Sequence, residues 1–329
     1  MSVSCKALKI LVLIAAIAFV PVLSFAAAQA DAPAAVQGGN LILATGGTSG
    51  TYYPFGGAMA QIWNTSIEKM NVTAQATGAS KENIRLVGKD EADLAIVQND
   101  VMDYAMKGIE LFNGEKVEGF RTIATLYPEV VQIVADPAAG IKSIADLKGK
   151  RVSVGDAGSG VEANAKQILE AYGITFNDVK AAHLSFKESA SALKDKQLDA
   201  FFVTAGVPNA AIQEISALSP VQILSVDDAT AAKLIEKYKF YTKVSIPAGT
   251  YKGMDAAAST LAVKATLIVR DDLSEGVVYA LTKALFEKQA ELASAHAKGK
   301  ELSLKGAVEG VSVDFHPGAL KYYKEKGVK

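Results

Sequence analysis

Residues 41–60 read LILATGGTSGTYYPFGGAMA, and this stretch decides the class of fold. The apolar run 41–45 predicts a buried strand, and a loop rich in glycine and hydroxyl side chains follows it. Pro54 suits the first turn of a helix. Apolar residues then recur at spacings of four, four and three, on one helix face: Met59, Trp63, Ile67 and Met70. The stretch predicts a strand, a loop and a helix, the unit that builds parallel α/β sheets.

The same alternation continues along the chain. Further strands are predicted at 71–77, 93–98, 151–155, 179–184, 199–204, 221–226 and 261–269. Helices are predicted between them, at 80–88, 101–107, 161–172 and 187–194, from 208, at 228–238 and from 274. A long β-rich stretch at 121–135 is broken by Pro128. This order predicts an α/β fold with two parallel-rich sheet units flanked by helices.

Two such units predict two lobes with a ligand cleft between them. Lobe I comprises residues 38–134 and 255–329, and lobe II comprises 135–254, so the chain crosses between the lobes twice. Ligands of open α/β sheets bind outside the carboxyl ends of the strands. The loops that follow strands are therefore the candidate binding sites, and a ligand touching both lobes would close them about a hinge.

The N-terminus has the pattern of a secretory leader. Lys6 and Lys9 precede the apolar run 10–20, and small residues follow at 26–30. We predict that residues 1–30 are a signal peptide, cleaved after Ala28 or Ala30, which places the mature protein in the periplasm. An uncleaved membrane anchor is the alternative, but the run is shorter than the roughly 20 residues that span a bilayer.

Composition excludes several classes of function. Cys5 is the only cysteine and lies within the predicted leader, so the mature chain has no thiol for a disulfide, a metal or a nucleophile. The formal net charge is -1, only four arginines are present, and no long basic run occurs, which argues against a nucleic-acid partner. The three histidines share no metal-ligand spacing, so we predict no metal and no cofactor.

The loop at 45–54 has the features of an anion site. Its glycines let backbone N–H groups turn toward a ligand, and the helix that follows adds partial positive charge at its N-terminus. Hydroxyl groups and two tyrosines surround it. The loop lacks the lysine of a nucleotide P-loop and the G-x-G-x-x-G pattern of dinucleotide sites. A plain tight turn is the structural alternative.

A second loop, GDAGSGVE at 155–162, also joins a strand to a helix. Ser159 and Glu162 fit a capping box, which is a purely structural role, although a capped glycine-rich helix start still offers free N–H groups. Two smaller candidates close other strands, at 98–100 and 204–208; an ordinary Asn/Asp helix cap is an equal alternative for the first. Facing loops of this kind favour a carboxylate.

No catalytic set is apparent in the sequence. There is no G-x-S-x-G elbow, and no histidine lies near a candidate serine along the chain, although a triad assembled only in space stays open. The paired carboxylates at 227–228 and 271–272 precede predicted helices, where acidic residues favour the dipole. We therefore predict a binding protein and not an enzyme.

The loops and their surroundings resemble the TAXI solute receptors, which are the extracytoplasmic binding proteins of one branch of TRAP transporters. The similar stretches cover most of the mature chain: TGGTSGTYYPFGGAMA, ASKENIRLVGKDEADLAIVQND, LYPEVVQIVA, DLKGKRVSVGDAGSGVEANAKQILEAYG and DAFFVTAGVPNAAI. The resemblance implies a two-lobed periplasmic-binding-protein fold of type II with a hinged cleft. It also implies an ion-gradient-driven membrane permease as partner, and as ligand an acidic amino acid such as glutamate, or a dicarboxylate or 2-oxoacid.

The resemblance also implies a set of ligand contacts. They are Thr45, Gly46, Gly47, Thr48, Gly50, Tyr52, Tyr53, Asn83, Gln98, Tyr127, Ser159, Gly160, Val161, Thr204, Ala205 and Gly206. The family usually has threonine where this chain has Val161, so one hydroxyl of the second lobe is missing, which bears on the identity of the ligand.

Other functions stay open beside a monomeric TRAP receptor. A binding protein of an ABC importer would share the fold and the export signal, and the neighbouring gene would distinguish the two. An enzyme built on this fold would show turnover. A structural or adhesive secreted protein would leave the two facing loops unexplained.

Overall fold

The structure, a computed structural model, describes residues 38–329, and the predicted signal peptide at 1–30 lies outside them. Ten strands are present in these residues: β1 Asn40–Ala44, β2 Asn71–Gln75, β3 Leu94–Gln98, β4 Phe120–Ala135, β5 Arg151–Ser153, β6 Lys180–Ala182, β7 Ala200–Ala205, β8 Gln222–Leu224, β9 Thr242–Ile246 and β10 Ala258–Arg270. The helices are α1 Tyr52–Ser66, α2 Ser80–Gly88, α3 Asn99–Lys107, α4 Gly160–Ala171, α5 Phe186–Lys194, α6 Ala210–Leu218, α7 Asp228–Lys237, α8 Glu275–Glu287, α9 Gln289–Ala295, α10 Leu304–Ala307 and α11 Pro317–Glu325.

All ten strands belong to one open mixed sheet, in the order β2-β1-β3-β10-β4-β7-β5-β6, with β8 on β4 and β9 on β10. The outer strands are parallel: β1 pairs with β2 and β3, and β5 pairs with β6 and β7. The long strands β4 and β10 are antiparallel to each other and join the two parallel groups. The predicted α/β class is confirmed, but the two predicted sheet units are one hydrogen-bonded sheet.

Strand β4 is continuous through Pro128, where we predicted a break. Proline removes a backbone donor and is tolerated where no neighbouring strand needs it. Pro128 pairs with Lys264 of β10, and the ladder on the other side of β4 begins only at Val130. The missing donor therefore costs the sheet little.

Strands β4 and β10 each contribute to two separate hydrophobic cores, one at each end of the strand pair. On β4, residues up to Tyr127 pack with α1, α8 and α11, and residues from Val131 pack with α4 and α7. On β10, Val263 belongs to the second of these cores and Ala265 to the first. We call residues 38–127 and 265–329 the first half, and 130–262 the second half. The predicted lobe boundaries near 134 and 255 stay a prediction.

Between the halves lies a neck made of residues 128–129 of β4 and 263–264 of β10. Strand β3 pairs with β10 from Ala265 onward, and β9 pairs with it up to Ala262. Strand β7 pairs with β4 from Val130. Among the described strands, only β4 and β10 pair at the neck, so the sheet narrows there to two strands.

Several local predictions need correction. Helix α1 begins at Tyr52, before Pro54, and α6 begins at Ala210 because Asn209 caps it by accepting from the N–H groups of Ala211 and Ile212. Lys298, which no sequence pattern marked as buried, is 9% exposed, and its ammonium group pairs with Glu301 at 2.6 Å. Strand β9 and helices α10 and α11 were not predicted. Within residues 38–329, no helix is long and apolar enough to cross a membrane.

Candidate functional site

A small cavity of about 50 Å³ lies where the two halves face each other. Its lining combines glycines, hydroxyl side chains and two carboxylates: Gly46, Gly47, Ser49, Gly50, Thr51, Tyr52, Ala79, Ser80, Gln98, Glu129, Asp156, Ser159, Gly160, Val161, Ser185, Phe186, Thr204 and Ala205. None of these described lining residues is lysine, arginine or histidine. On these lining residues, partial positive charge is therefore supplied by backbone N–H groups.

That partial charge comes from helix N-termini, because the first residues of α1, α2, α3, α4 and α5, or the residues that cap them, lie at or beside the cavity. Helices α1, α2 and α3 start without a hydrogen bond from a capping side chain. Helices α4 and α5 are capped by Ser159 and Ser185. Each N-terminus carries about half a positive charge on its free N–H groups. The cavity is thus suited to hold an anionic group without a cationic side chain.

The structure brings ten of the sixteen predicted contacts to the cavity. These are Gly46, Gly47, Gly50, Tyr52, Gln98, Ser159, Gly160, Val161, Thr204 and Ala205. Val161 lies on the lining, so the hydroxyl that it lacks relative to the resembled family would have faced the cavity. Whether these residues touch a ligand stays a prediction.

Six predicted residues do not line the cavity: Thr45, Thr48, Tyr53, Asn83, Tyr127 and Gly206. Asn83 supports the site from behind, since its Nδ2 donates to the carbonyls of Thr45 at 2.6 Å and Ile96 at 2.8 Å. Thr48 and Tyr53 are exposed to solvent. Tyr127 is buried edge-on against Phe55, with ring centroids 5.1 Å apart.

The predicted capping box at the start of α4 is half formed. Ser159 Oγ accepts from the N–H of Glu162 at 3.1 Å. Glu162 Oε2 accepts from the N–H of Gly158 at 2.6 Å, one residue before the position that a capping box uses. The helix start is therefore fixed, and Gly160 is left facing the first half.

Buried amides join the halves beside the cavity. Gln98 Nε2 donates to Asn164 Oδ1 at 2.7 Å, and Thr204 Oγ1 donates to the same oxygen at 3.0 Å. Asn164 Nδ2 donates to Asp100 Oδ2 at 3.0 Å and to the Tyr241 hydroxyl at 2.9 Å. Burial raises the pKa of Asp100 to about 6, against the hydrogen bonds that it accepts. No sequence signal pointed to Asn164, which lies inside a helix.

Loop contacts close the other side of the cavity. The N–H of Gly206 donates to Thr51 Oγ1 at 3.1 Å, and Asn209 Nδ2 donates to the carbonyl of Ser49 at 3.3 Å. Gly206 therefore contacts the other half through its N–H and does not line the cavity. These contacts tie the α1 loop of the first half to the end of β7 in the second half, so the described conformation is a closed one.

Two carboxylates of the lining were not predicted, Glu129 and Asp156. Glu129 follows Pro128 in the neck and is 2% exposed. The Tyr52 hydroxyl donates to its Oε2 at 2.5 Å. Burial raises the pKa of Glu129 well above its usual range, although the bond from Tyr52 acts in the opposite direction. Burial also raises the pKa of Asp156.

In residues 38–329, no group of three or more His, Cys, Asp or Glu side chains is placed to hold a metal ion. The lining offers hydrogen-bond donors and acceptors of fixed orientation, which can bind and orient a small polar molecule.

Comparison with known proteins agrees with this architecture. A model of the NMT1-like family matches residues 43–327. A structure from Bordetella bronchiseptica RB50 is 14% identical over 87% of this chain and 82% of its own, with a TM-score of 0.52. PhnD1 from Prochlorococcus marinus, solved in complex with methylphosphonate, is 11% identical over 87% of this chain and 96% of its own, with a TM-score of 0.50. A putative L-cystine ABC transporter from Listeria monocytogenes is 15% identical over 80% and 98%, with a TM-score of 0.49.

At these identities the structural likeness shows the fold alone. The matching family model is of the periplasmic solute-binding type, which supports the predicted class and an extracytoplasmic setting. The narrower prediction of a TAXI receptor is not confirmed by the match.

Proposed function

The chain belongs to the NMT1-like family, and from this premise we propose that it is a receptor for a small carboxylate-bearing solute. The solute would bind between the two halves and pass to a membrane importer. The observation that carries the proposal is the cavity itself, on which helix N-termini from both halves converge. The described lining has no cationic side chain to pair with a carboxylate. Backbone N–H groups and hydroxyls surround the cavity and would bind the carboxylate instead.

Each half supplies its own part of the carboxylate site. The first half gives the loop before α1 and the uncapped N-termini of α1 and α2. The second half gives the start of α4, where Ser159 and Gly160 lie on the lining. A ligand held by both parts favours the closed form by its differential affinity for closed over open. Closure then signals occupancy to the importer.

The cavity is too small for a metabolite-sized solute, so binding requires a more open form of the protein. Pockets for metabolite-sized ligands enclose roughly 300–1,000 Å³, whereas this cavity encloses about 50 Å³. Entry of a solute therefore needs separation of the halves or displacement of lining side chains. The two-stranded neck is the place where the halves can turn relative to each other, which supports the predicted two-lobed organisation.

Two importer classes are candidates for the partner. The resemblance to TAXI receptors favours a TRAP permease driven by an ion gradient. Since the matching family model is NMT1-like and does not select the TAXI branch, we place the ABC importer first and the TRAP permease second. Reconstitution of the permease encoded beside this gene would decide: uptake driven by ATP indicates the first, and uptake driven by an ion gradient indicates the second.

Calorimetry and thermal melting test the proposed solute class. A panel should contain acidic amino acids, dicarboxylates, 2-oxoacids and neutral sugars. A carboxylate present at 100 times its dissociation constant should add about 2.7 kcal/mol to the free energy of unfolding, a rise in melting temperature on the order of 5–10 °C. Stabilisation by neutral sugars alone would refute the carboxylate site.

A further inference from the structure

The cavity lining includes one buried hydrogen-bond acceptor that no described donor satisfies, and one buried acid whose side chain has a single partner. Gln98 is 2% exposed, and its Oε1 has no hydrogen-bond partner within the part of the chain that the structure describes. Glu129, also 2% exposed, has Tyr52 as its only hydrogen-bond partner in residues 38–329, and that bond uses Oε2. A buried polar group without a partner carries the full penalty of its lost hydration. Gln98 Oε1 therefore points to a missing donor, and Glu129 lies on the same lining.

The orientation of Gln98 is fixed by its neighbours. Asp100 Oδ2 accepts from Asn164 Nδ2, so Asn164 turns its Oδ1 toward Gln98. Gln98 must then donate with Nε2 and leave Oε1 free. Oε1 lies directly against Gly160, where it fills the space that a side chain would need, and Gly160 is part of the lining.

Glu129 has no basic neighbour on the described lining. The turn at 297–301 packs against β4, but its cation, Lys298, is paired with Glu301 at 2.6 Å. The groups that act on the charge of Glu129 are the hydroxyl of Tyr52 from α1, Asp100 from α3 and Tyr127 from its own strand. All of these are acids, and desolvation raises the pKa of Glu129 well above its usual range. A buried carboxylate with no cationic partner is unfavourable unless it is protonated or pairs with a bound cation.

We propose that Glu129 and Gln98 Oε1 form an ammonium subsite, so that the solute carries a primary amine next to its carboxylate. This rests on the proposed function, since the carboxylate is held by the helix N-termini of the same cavity. An ammonium group has three N–H donors and can satisfy both acceptors. The substrate class is then an α-amino acid and not a dicarboxylate or 2-oxoacid.

Binding of an amine also moves a proton. Burial raises the pKa of Glu129 and so favours its protonated form in the free protein. The incoming ammonium is already charged, so a proton held on Glu129 is released when the pair forms. The affinity for an amine-bearing solute should therefore rise with pH. A purely structural bond between Tyr52 and Glu129 predicts neither the proton release nor a preference for amines.

Matched ligand pairs test the subsite by titration calorimetry. The pairs are L-glutamate with 2-oxoglutarate, L-alanine with pyruvate and L-leucine with 4-methyl-2-oxopentanoate, which differ only at the α-carbon. At least one amino acid should bind at least about tenfold more tightly than its 2-oxoacid, the range of a charge-assisted hydrogen bond. Titration in buffers of different ionisation enthalpy should show about one proton released per amino acid bound.

Three variants complete the test. Glu129→Gln should fold, as checked by its circular dichroism melt, because glutamine copies the neutral acid, and it should lose both the amine preference and the proton release. Glu129→Asp keeps a carboxylate and should retain proton release, which decides the question if Glu129→Gln does not fold. Glu287→Gln, at the C-terminal end of α8 outside the cavity, should behave as the wild type.

The outcomes separate the two proposals. If carboxylates bind but amino acids gain nothing over their 2-oxoacids, or if Glu129→Gln keeps the preference, the ammonium subsite is refuted and the carboxylate receptor stands. If no carboxylate in the panel binds the wild type, the proposed function fails and the subsite fails with it.

Discussion

Replacing Gly160 with alanine should prevent closure of the two halves without harming either half. Gly160 begins α4 with φ outside the left-handed region, so alanine fits its backbone. In the closed form, however, the added methyl would overlap both Oε1 and Cδ of Gln98. Gln98 would have to withdraw, which breaks its 2.7 Å bond to Asn164.

The magnitude follows from that bond. A hydrogen bond contributes about 1 kcal/mol net, and leaving its polar atoms buried without partners costs about 1–2 kcal/mol more. Closure should therefore be about 2–3 kcal/mol less favourable, which weakens solute binding roughly 30–150-fold. Titration calorimetry measures the affinity, and small-angle scattering measures whether saturating solute still reduces the radius of gyration.

Gly57→Ala is the matched control, because Gly57 is also helical and no atom lies within 4 Å of its added methyl. It should bind as the wild type. The double variant Gln98→Ala with Gly160→Ala should close again, because the obstructing side chain is gone. If Gly160→Ala alone binds within about threefold of the wild type, the closed interface is not the binding form.

Three further predictions concern stability and closure. The folded pKa of Asp100 is about 6 and its unfolded pKa is about 3.9, so the folded chain binds more protons between these values. Its contribution to the free energy of unfolding should fall by about 2 kcal/mol as pH rises from about 4 to 6, and equilibrium denaturation of Asp100→Asn should lack that fall. Thr51→Val leaves the Gly206 N–H unpaired in the closed form and should weaken solute binding by about 1–3 kcal/mol; unchanged affinity in calorimetry would contradict this. Trp63→Phe removes the 2.9 Å bond to the Leu281 carbonyl from a fully buried site and should lower the free energy of unfolding by about 2–4 kcal/mol in urea titration.

The local units were predictable because their signals are local. The glycine-rich loops at 45–54 and 155–162 lie beside the cavity, each between a strand and a helix as expected. The predicted helix at 161–172 is present as α4, and Gly173 just after it has φ +72°, a conformation that glycine favours. Alternating strands and helices also predicted the fold class.

Two features could not be predicted from local patterns: the pairing of β4 with β10 into one sheet, and the buried acid Glu129. Pairing of β4 with β10 brings together residues more than 130 positions apart, and no local pattern encodes such a partner. Glu129 sits in an apolar strand next to a proline, where an acid more often marks an exposed edge. Asn164 looks like any polar helix residue until the fold places it opposite Gln98.

The position of Glu129 in the two-stranded neck has a mechanical consequence. A residue in the neck moves little when the halves rotate about it. A contact with Glu129 therefore adds affinity without favouring the open or the closed arrangement. The contacts at the start of α4 and in the loop before α1 lie away from the neck, one set in each half, and they change as the halves separate, together with the bond from Gln98 to Asn164. A simple amine could thus occupy the site and leave the receptor open, whereas a complete amino acid would close it. The importer would then respond to closure driven by the carboxylate of the solute. The amine would set the affinity, and so the time that the solute stays bound.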